Sequence, residues 1–409
     1  MRILIPTSSY PLRHHSGWAP FLKETFSALA GEGHDIQVLV FNPENALLEY
    51  QEDSGVRVRA YPFLPWGKSR LHQFSGLLPS LKRSWLAWLE LPFYFVSSAV
   101  QIMCANARGS FDIIHAPWYF PMGFIACVLK PFHRKPVVVT GLGGDFHLPV
   151  FLSPLLRFTF RMADANVVCS HYLAEKASVY GLPPSGFTII PNGIRAGLFH
   201  SPRSSSRANS KITVGCAKRL VPEKNISDLI HAIRKLPDEL LPNLAVKIAG
   251  SGPEEVSLRR LIARLNLDRV VSLAGFIPPD EMPGFLRGVD IFVDPSTQEG
   301  LATSNLEALA AGCTLVAADT AGNPEIITSG DSGFLYPARN IEALSAVLLR
   351  LCLNPDLRKQ AGSRGQILVS SQFDVSQIAK KISALYSILP NLKRPAAASQ
   401  TNLSPSSTV

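Results

Sequence analysis

Twelve short, almost uninterrupted apolar runs alternate with segments of helical periodicity, and this alternation limits the fold more than anything else in the chain. In the first half the runs occupy 3–5, 36–40, 56–61, 112–115, 137–140, 166–169 and 188–190. In the second half they occupy 212–215, 245–249, 270–273, 291–293 and 314–317. Strands that are apolar along their whole length, with helices between them, are the pattern of parallel sheets covered on both faces. Two such series predict two doubly wound α/β units. The stretch 195–210, with Ser-Pro-Arg-Ser-Ser-Ser-Arg at 201–207, is too polar for either core and reads as the linker. Ligands of such sheets bind at the carboxyl ends of the strands. A cleft between two facing units is therefore the expected site.

The length of 409 residues is sufficient for two cores of ordinary size. With 46% hydrophobic and 17% charged residues the chain is globular rather than disordered. A formal charge of +9 suits nucleic acid or an anionic membrane surface. No nucleic-acid-binding signature is present, which favours the membrane and predicts no nucleic acid partner. Within 66–108, five Lys/Arg (Lys68, Arg70, Lys82, Arg83, Arg108) stand against one acid, Glu90, interleaved with Trp66, Trp85, Trp88, Phe93, Tyr94 and Phe95. That mixture fits an interfacial helix, and equally core helices with a solvated basic face. The apolar stretch 85–104 is interrupted by Glu90 and Pro92 and is read as not spanning a membrane. Six cysteines lie far apart in mostly apolar surroundings, as buried thiols of a reducing compartment do. The opening Met-Arg-Ile-Leu-Ile-Pro looks like a first strand and not like a signal peptide, so a cytoplasmic location is expected.

The chemistry concentrates in the second unit. Glu299 and Glu307 lie eight positions apart, in a loop that follows a strand-like run and leads into a helix-like one. Ser304 and Glu307 form an S-x-x-E capping box, predicting a helix start at Asn305 whose amides would attract phosphate. The plainer alternative is that Glu307 caps its own helix and Glu299 is a solvated loop residue. Arg219 and Lys224 fall on a loop between a strand end and a helix for which Asn225 is the expected N-cap. Two cations there can hold a diphosphate, or they can simply be solvated. Gly250 and Gly252 form a turn after a strand. In the first unit Gly17 precedes an amphipathic helix, His115 and Trp118 close a strand, and Thr140-Gly-Leu-Gly-Gly-Asp145 is followed by His147.

Together and in this order, these segments resemble the retaining glycosyltransferases of family four, the group 1 transferases. The resemblance covers nearly the whole second unit, including Gly322-Asn-Pro-Glu-Ile326 and Gly333-Phe-Leu-Tyr-Pro337, and is looser in the first, where Pro191-Asn-Gly193 matches the family's turn before the linker. It implies a GT-B fold, two Rossmann-like domains facing across a cleft. The acceptor-side domain is then expected at 1–200, with 373–391 returning to it, and the nucleotide-sugar domain at 208–372. The last helix, 373–389, would carry Ile378, Ile382, Leu385 and Ile388 on one side, and the Ser, Pro, Ala and Thr-rich stretch 392–409 reads as a disordered tail.

The resemblance further implies that Arg219, Lys224 and Glu299 carry the transfer, the cations on the diphosphate and Glu299 on donor-sugar hydroxyls. Glu307 would hold the ribose, with Asn305, Ser304, Gly300, Gly252 and Gly17 around the donor. Asp145, His147 and His115 are its acceptor-side candidates. Leu142 stands where relatives place a histidine or an arginine, which leaves open a sugar-nucleotide-binding protein without transferase activity. A membrane scaffold is a third reading. No Asp-x-Asp occurs, so neither a metal nor another cofactor is expected, the nucleotide-diphosphate sugar being a substrate. A saccharide or lipid-linked saccharide is the expected acceptor, met at the inner face of the plasma membrane.

Overall fold

A computed structural model describes residues 1–12, 19–71, 80, 84–200 and 211–389. Gly17, Lys82, Arg83, the polar run 201–207 and the tail 392–409 lie outside the described residues. The first half forms one sheet from β1 (Arg2–Thr7), β2 (Asp35–Phe41), β3 (Leu48–Gln51), β4 (Arg57–Tyr61), β5 (Ile113–Pro117), β6 (Val137–Gly141), β7 (Ala165–Val168) and β8 (Thr188–Ile189). Their order is β3-β4-β2-β1-β5-β6-β7-β8. All pairings are parallel except that of β3 with β4. The edge strand β3 was not expected from the sequence. Its Leu-Glu-Tyr-Gln alternates between half-buried and exposed positions and lacks the apolar run that marks a central strand.

Strand β1 shows how the layers arise. Ile3 and Ile5 point to one face of the sheet, and Leu4 points to the other. The Ile face is covered by α1 (Pro20–Gly31) through Leu22, Phe26 and Leu29, and by the last helix through Ile378, Ile382 and Tyr386. The Leu4 face is covered by α2 (Leu86–Gly109), α3 (Phe124–Val128) with its short continuation α4 (Lys130–His133), α5 (Ser153–Met162) and α6 (His171–Ala177). Helix α2 is long and apolar enough to cross a membrane by length and composition alone. Its inner side nevertheless packs on the core through Ala87, Tyr94 and Ile102. Its one acid, Glu90, is buried and accepts hydrogen bonds from the Ser69 hydroxyl and the Arg70 amide.

The second half builds a wholly parallel sheet from β9 (Ile212–Ala217), β10 (Leu244–Ala249), β11 (Val271–Gly275), β12 (Ile291–Asp294), β13 (Thr314–Asp319) and β14 (Phe334–Pro337), in the order β11-β10-β9-β12-β13-β14. Its helices are α7 (Ile226–Arg234), α8 (Glu255–Arg264), α9 (Met282–Arg287), α10 (Thr303–Ala310), α11 (Ile341–Leu353) and α12 (Pro355–Leu368). Helices α7, α8 and α11 cover one face, and α9 and α10 the other.

Between the sheets, 195–200 is not a loose linker. Ala196 and Phe199 are buried, and Arg195 pairs with Glu24. Ile194 bonds to the backbone at Phe373 and Val375, which brings the chain end back to the first sheet as α13 (Val375–Ile388). Asp374 caps this helix by accepting from the Ser376 amide at 3.0 Å. The buried row runs Ile378, Ile382, Tyr386 at a spacing of four, whereas Ile388, expected on that side, is exposed.

Candidate active site

The donor side is built on the carboxyl ends of β9 and β12. Strand β9 runs straight into Lys218, whose ammonium lies 2.8 Å from Asp294 and 3.2 Å from Glu299. Asp294, the last residue of β12, is fully buried, and Lys218 nearly so. Burial alone would pull the Lys218 ammonium down, but the Asp294 and Glu299 carboxylates outweigh it and its pKa is raised. Burial would likewise raise Asp294, and the charge of Lys218, helped by Ser296, instead brings it down to about 2. The pair is therefore ionised at neutral pH.

Asn305 is locked into the same network. Its amide donates to Asp294 at 2.7 Å and to Asn323 at 3.0 Å, and Asn323 donates in turn to the Ala318 carbonyl. Its side chain is thus a brace beneath the site rather than a donor contact. Its backbone N–H is committed to the Ala302 carbonyl.

Helix α10 corrects the capping box. It starts at Thr303, with Ala302 at the N-cap and no side-chain cap, so Ser304 lies inside the first turn. The amides of Thr303 and Ser304 precede the first backbone bond of the helix, from the Asn305 amide to the Ala302 carbonyl. Glu307 is not a cap either. Burial pushes its carboxyl up to about 7, partly offset by the charge of Lys218. Asn225 does stand at the N-cap of α7, but with a left-handed backbone, and its side chain bonds the Asp228 carboxylate instead of a backbone amide.

Lys224 and Arg219 differ sharply. The Lys224 side chain is only 9% exposed, and its ammonium lies 2.7 Å from Glu299 and 3.0 Å from the Gln298 carbonyl. It is not the exposed loop cation that its sequence position indicates. Arg219 is exposed and, among the described residues, reaches only Glu223, at 3.8 Å. Its loop is fixed by the glycine turn. A Cβ on Gly252 would come within 2.3 Å of the Leu220 carbonyl oxygen, so that position serves close backbone packing under Arg219. The Gly300 loop is pressed between the two halves. A Cβ on Gly322 would lie 1.9 Å from the Gly300 carbonyl oxygen, and one on Gly300 2.9 Å from Leu173 of α6.

Across the cleft the expected residues separate. His147 reaches the donor loop: its Nδ1 bonds the Gly143 carbonyl, and its Nε2 lies 2.6 Å from Lys176 and 2.8 Å from the Gln298 side chain. His115 does not reach the cleft. Its two ring nitrogens are taken by Tyr386 of α13 and Thr140, and burial lowers its pKa to about 4. Asp145 is buried and accepts from the amides of Tyr119 and Leu142, each at 2.9 Å, tying the loops after β5 and β6 together. Burial outweighs these amides and raises its carboxyl to about 7. Leu142 is itself buried, packed in the core of the first sheet.

Three residues that bear on the site, Lys218, Asp294 and Glu325, were not picked out from the sequence, and Trp118 was read there only as the close of a strand. Lys218 and Asp294 carried one signal, a charged residue at the carboxyl end of an apolar strand run. Glu325 crosses between the halves to accept from the His171 and Tyr172 amides at the start of α6, at 2.7 and 2.8 Å. Trp118, directly after β5, holds φ 77°, and its indole N–H is buried with no hydrogen-bond partner among the described residues. A bulky residue in that backbone region is strained, as residues at functional sites often are.

Two family models match the chain, "Glycosyl transferases group 1" over residues 200–367 and "Glycosyl transferase 4-like domain" over residues 16–193. The MMP alpha-(1->4)-mannosyltransferase of Mycolicibacterium hassiacum is 25% identical over 405 residues, covering 91% of this chain and 95% of that protein. The GDP-mannose-dependent alpha-(1-6)-phosphatidylinositol monomannoside mannosyltransferase of Mycobacterium tuberculosis is 26% identical over 250 residues, covering 58% of this chain and 64% of that protein. Among solved structures, HepE of Anabaena in complex with UDP aligns with a TM-score of 0.72 at 20% identity, over 95% of this chain and 100% of that one.

Proposed function

The chain belongs to the group 1 glycosyltransferases, with the GT-B fold, and from that premise we propose that it moves a hexose from a nucleotide diphosphate with retention at the anomeric carbon, onto a lipid-linked or membrane-proximal saccharide. Its activity as a glycosyltransferase acting from a nucleotide sugar onto a saccharide acceptor follows from the family.

One observation supports the division of roles. Lys224 and Glu299 lie 2.7 Å apart in the cleft wall. A diphosphate on Lys224 and a sugar hydroxyl on Glu299 would therefore be neighbours, with the bond that breaks between them. As that bond breaks, charge grows on the phosphate oxygens. An ammonium already held in place stabilises that charge without reorganising. Arg219, loose at the surface of the same loop, can close on the diphosphate as a planar fork. Lys218, already neutralised by Asp294, leaves Lys224 as the cation available to the donor. The carboxylates position the donor, and the separated acid and nucleophile of a glycoside hydrolase are not invoked.

Several features of this reading go beyond the family. A hexose donor is supported by the mannosyltransferase relatives. A lipid-linked acceptor is supported by the phosphatidylinositol monomannoside named for one of them, and by the basic and aromatic stretch 66–108. We place the protein in the cytoplasm, peripheral on the inner face of the plasma membrane. The second reading, a sugar-nucleotide-binding protein without turnover, rests on Leu142, which offers the acceptor side no polar group. Proton NMR of the product from a panel of nucleotide sugars tests the proposal. An anomeric configuration matching that of the donor is expected. An inverted product refutes retention, and nucleotide binding without release of nucleoside diphosphate favours the second reading.

A further inference from the structure

Helix α2 buries one side and leaves the other exposed to solvent. Trp85, Leu89, Phe93, Val96 and Val100 recur at the spacing of one helical face, and Trp88 flanks them. Each of the six is between 39% and 72% exposed. The apolar surface continues sideways. Trp66 packs edge-on against Phe93 at 5.1 Å between ring centroids, and an aromatic ladder runs from Phe95 through Phe120 and Phe124 to Phe158 of α5. Phe132, in α4, and Phe151, just before α5, are each more than 70% exposed and belong to segments on the same side of the sheet. Isolated exposed apolar residues are ordinary, but a contiguous patch of this size is not.

Its surroundings are basic. Residues 62–162 hold ten Lys/Arg against three Asp/Glu. Of the acids, Glu90 and Asp145 are buried, and Asp112 accepts from the Arg2 amide at the amino end of the sheet. The outer side of α2 and α5 is therefore apolar and, on balance, cationic: Asp112 is exposed only at the amino end of the sheet, and of the cations Lys68 and Lys130 are paired with Glu44 and Asp164. A second copy of the chain would set like charges against each other. A bilayer with anionic headgroups would complement both features.

The geometry also orients the surface. Helix α2 follows β4 and leads into β5, so it runs antiparallel to the strands it covers. Its start, with Trp85, Trp88 and Leu89, lies at their carboxyl ends, where the cleft opens. Its end, with Arg108, lies near Arg2 and Gln37 at their beginnings.

We propose that this flank docks on an anionic phospholipid bilayer, with α2 in the headgroup plane, its Trp85 to Val100 face inserted and the mouth of the cleft held at the surface. This deepens the membrane-proximal acceptor reading above and rests on it only for what the docked cleft would meet.

Vesicle cosedimentation tests the surface, using phosphatidylcholine vesicles with and without an equal part of phosphatidylglycerol. The full chain is expected to sediment with the anionic vesicles at low salt, less at high salt, and not with phosphatidylcholine alone. Leu89→Glu/Val96→Glu puts two carboxylates in the middle of the stripe. It should weaken partition on the order of a hundredfold, about tenfold for each side chain. Trp88→Ala should weaken it about tenfold. Melting temperature and release of nucleoside diphosphate to a water-soluble acceptor should stay at the wild-type level, because neither helix face nor charge touches the donor loop. Wild-type protein left in the supernatant with anionic vesicles at low salt overturns the proposal. So do variants that sediment like wild type, and so does self-association that the same substitutions abolish without any vesicle binding. Vesicle binding with no nucleotide-sugar turnover would count against the transfer reading while upholding the docking surface.

Discussion

The two halves of the molecule cover their sheets in the same way, yet they place their polar groups differently. Beside the cleft the second half buries a connected network, Lys218 to Asp294 to Asn305 to Asn323, with Glu299 and Lys224 at its edge. The first half buries Asp145 to tie two loops and His115 to brace α13, and it turns tryptophans outward. A rigid, fully bonded wall suits a ligand whose charged part never varies, the diphosphate. A wall of loops and apolar rim suits an acceptor that differs between relatives. The contrast between rigid and adaptable halves can be broken or sharpened by experiment.

The largest effect is expected where the second half is most rigid. Lys218→Met leaves Asp294 buried without its counter-charge, and should cost about 3–5 kcal/mol of stability in denaturant unfolding. Lys218→Met/Asp294→Asn should recover much of that loss, since no lone charge then remains. If Lys218→Met unfolds like wild type, the network is not what holds the donor wall.

Lys224→Ala comes next. It should lower kcat by on the order of a hundredfold to a thousandfold in steady-state assays, as loss of one transition-state charge contact does. Its stability cost should be only about 1–3 kcal/mol, because Glu299 is partly exposed to solvent and keeps its contact with the Lys218 ammonium at 3.2 Å. A folded variant with normal turnover would remove Lys224 from the mechanism.

A smaller effect concerns pH. The Glu307 carboxyl is raised to about 7, so the folded chain keeps that proton where the unfolded chain has lost it. Its contribution to stability is complete below the ordinary glutamate pKa of about 4.3 and is lost as pH rises through about 7. Asp145, also raised to about 7, acts in the same direction. Melting temperature should thus fall less steeply from acid to neutral pH in Glu307→Gln than in wild type. Identical slopes would mean that Glu307 titrates normally.

The smallest expected effect is none. With no Asp-x-Asp in the chain, initial rates should be unchanged by a chelator. Activity lost on chelation and restored by magnesium or manganese would assign part of the diphosphate's charge to a metal.

How far the sequence reveals these features follows the same division. Strands such as β9 and β12 were legible because apolar residues dominate them, and the Glu299 loop because a strand and a helix frame it. The helix start at Thr303 was not, since Ser304 and Glu307 satisfy a capping pattern that the backbone declines in favour of an uncapped Ala302. Lys218 stands beside Arg219, and no local signal separates it from a solvated cation. Only the fold brings it to Asp294, seventy-six positions later. In α13 the choice between Ile388 and Tyr386 turned on a drift of the helical period that an apolar count does not resolve. His115, at the end of a strand run, and His147, after the loop that follows another, were equal candidates for the acceptor side. One turns inward to Tyr386 and the other crosses to Gln298. Exposure of the α2 stripe was likewise hidden, because an apolar face reads the same whether it is covered or bare.

The central claim is that Lys224 holds the diphosphate and Glu299 the sugar, side by side. Calorimetric titration of nucleoside diphosphate and of the matching nucleotide sugar into wild type, Lys224→Ala, Glu299→Gln and Glu307→Gln tests it most directly. Lys224→Ala should weaken both ligands. Glu299→Gln should bind the diphosphate normally and lose only the affinity that the sugar adds, and Glu307→Gln should weaken both through the ribose. Normal diphosphate affinity in folded Lys224→Ala, or equal losses in Glu299→Gln and Glu307→Gln, would contradict the account.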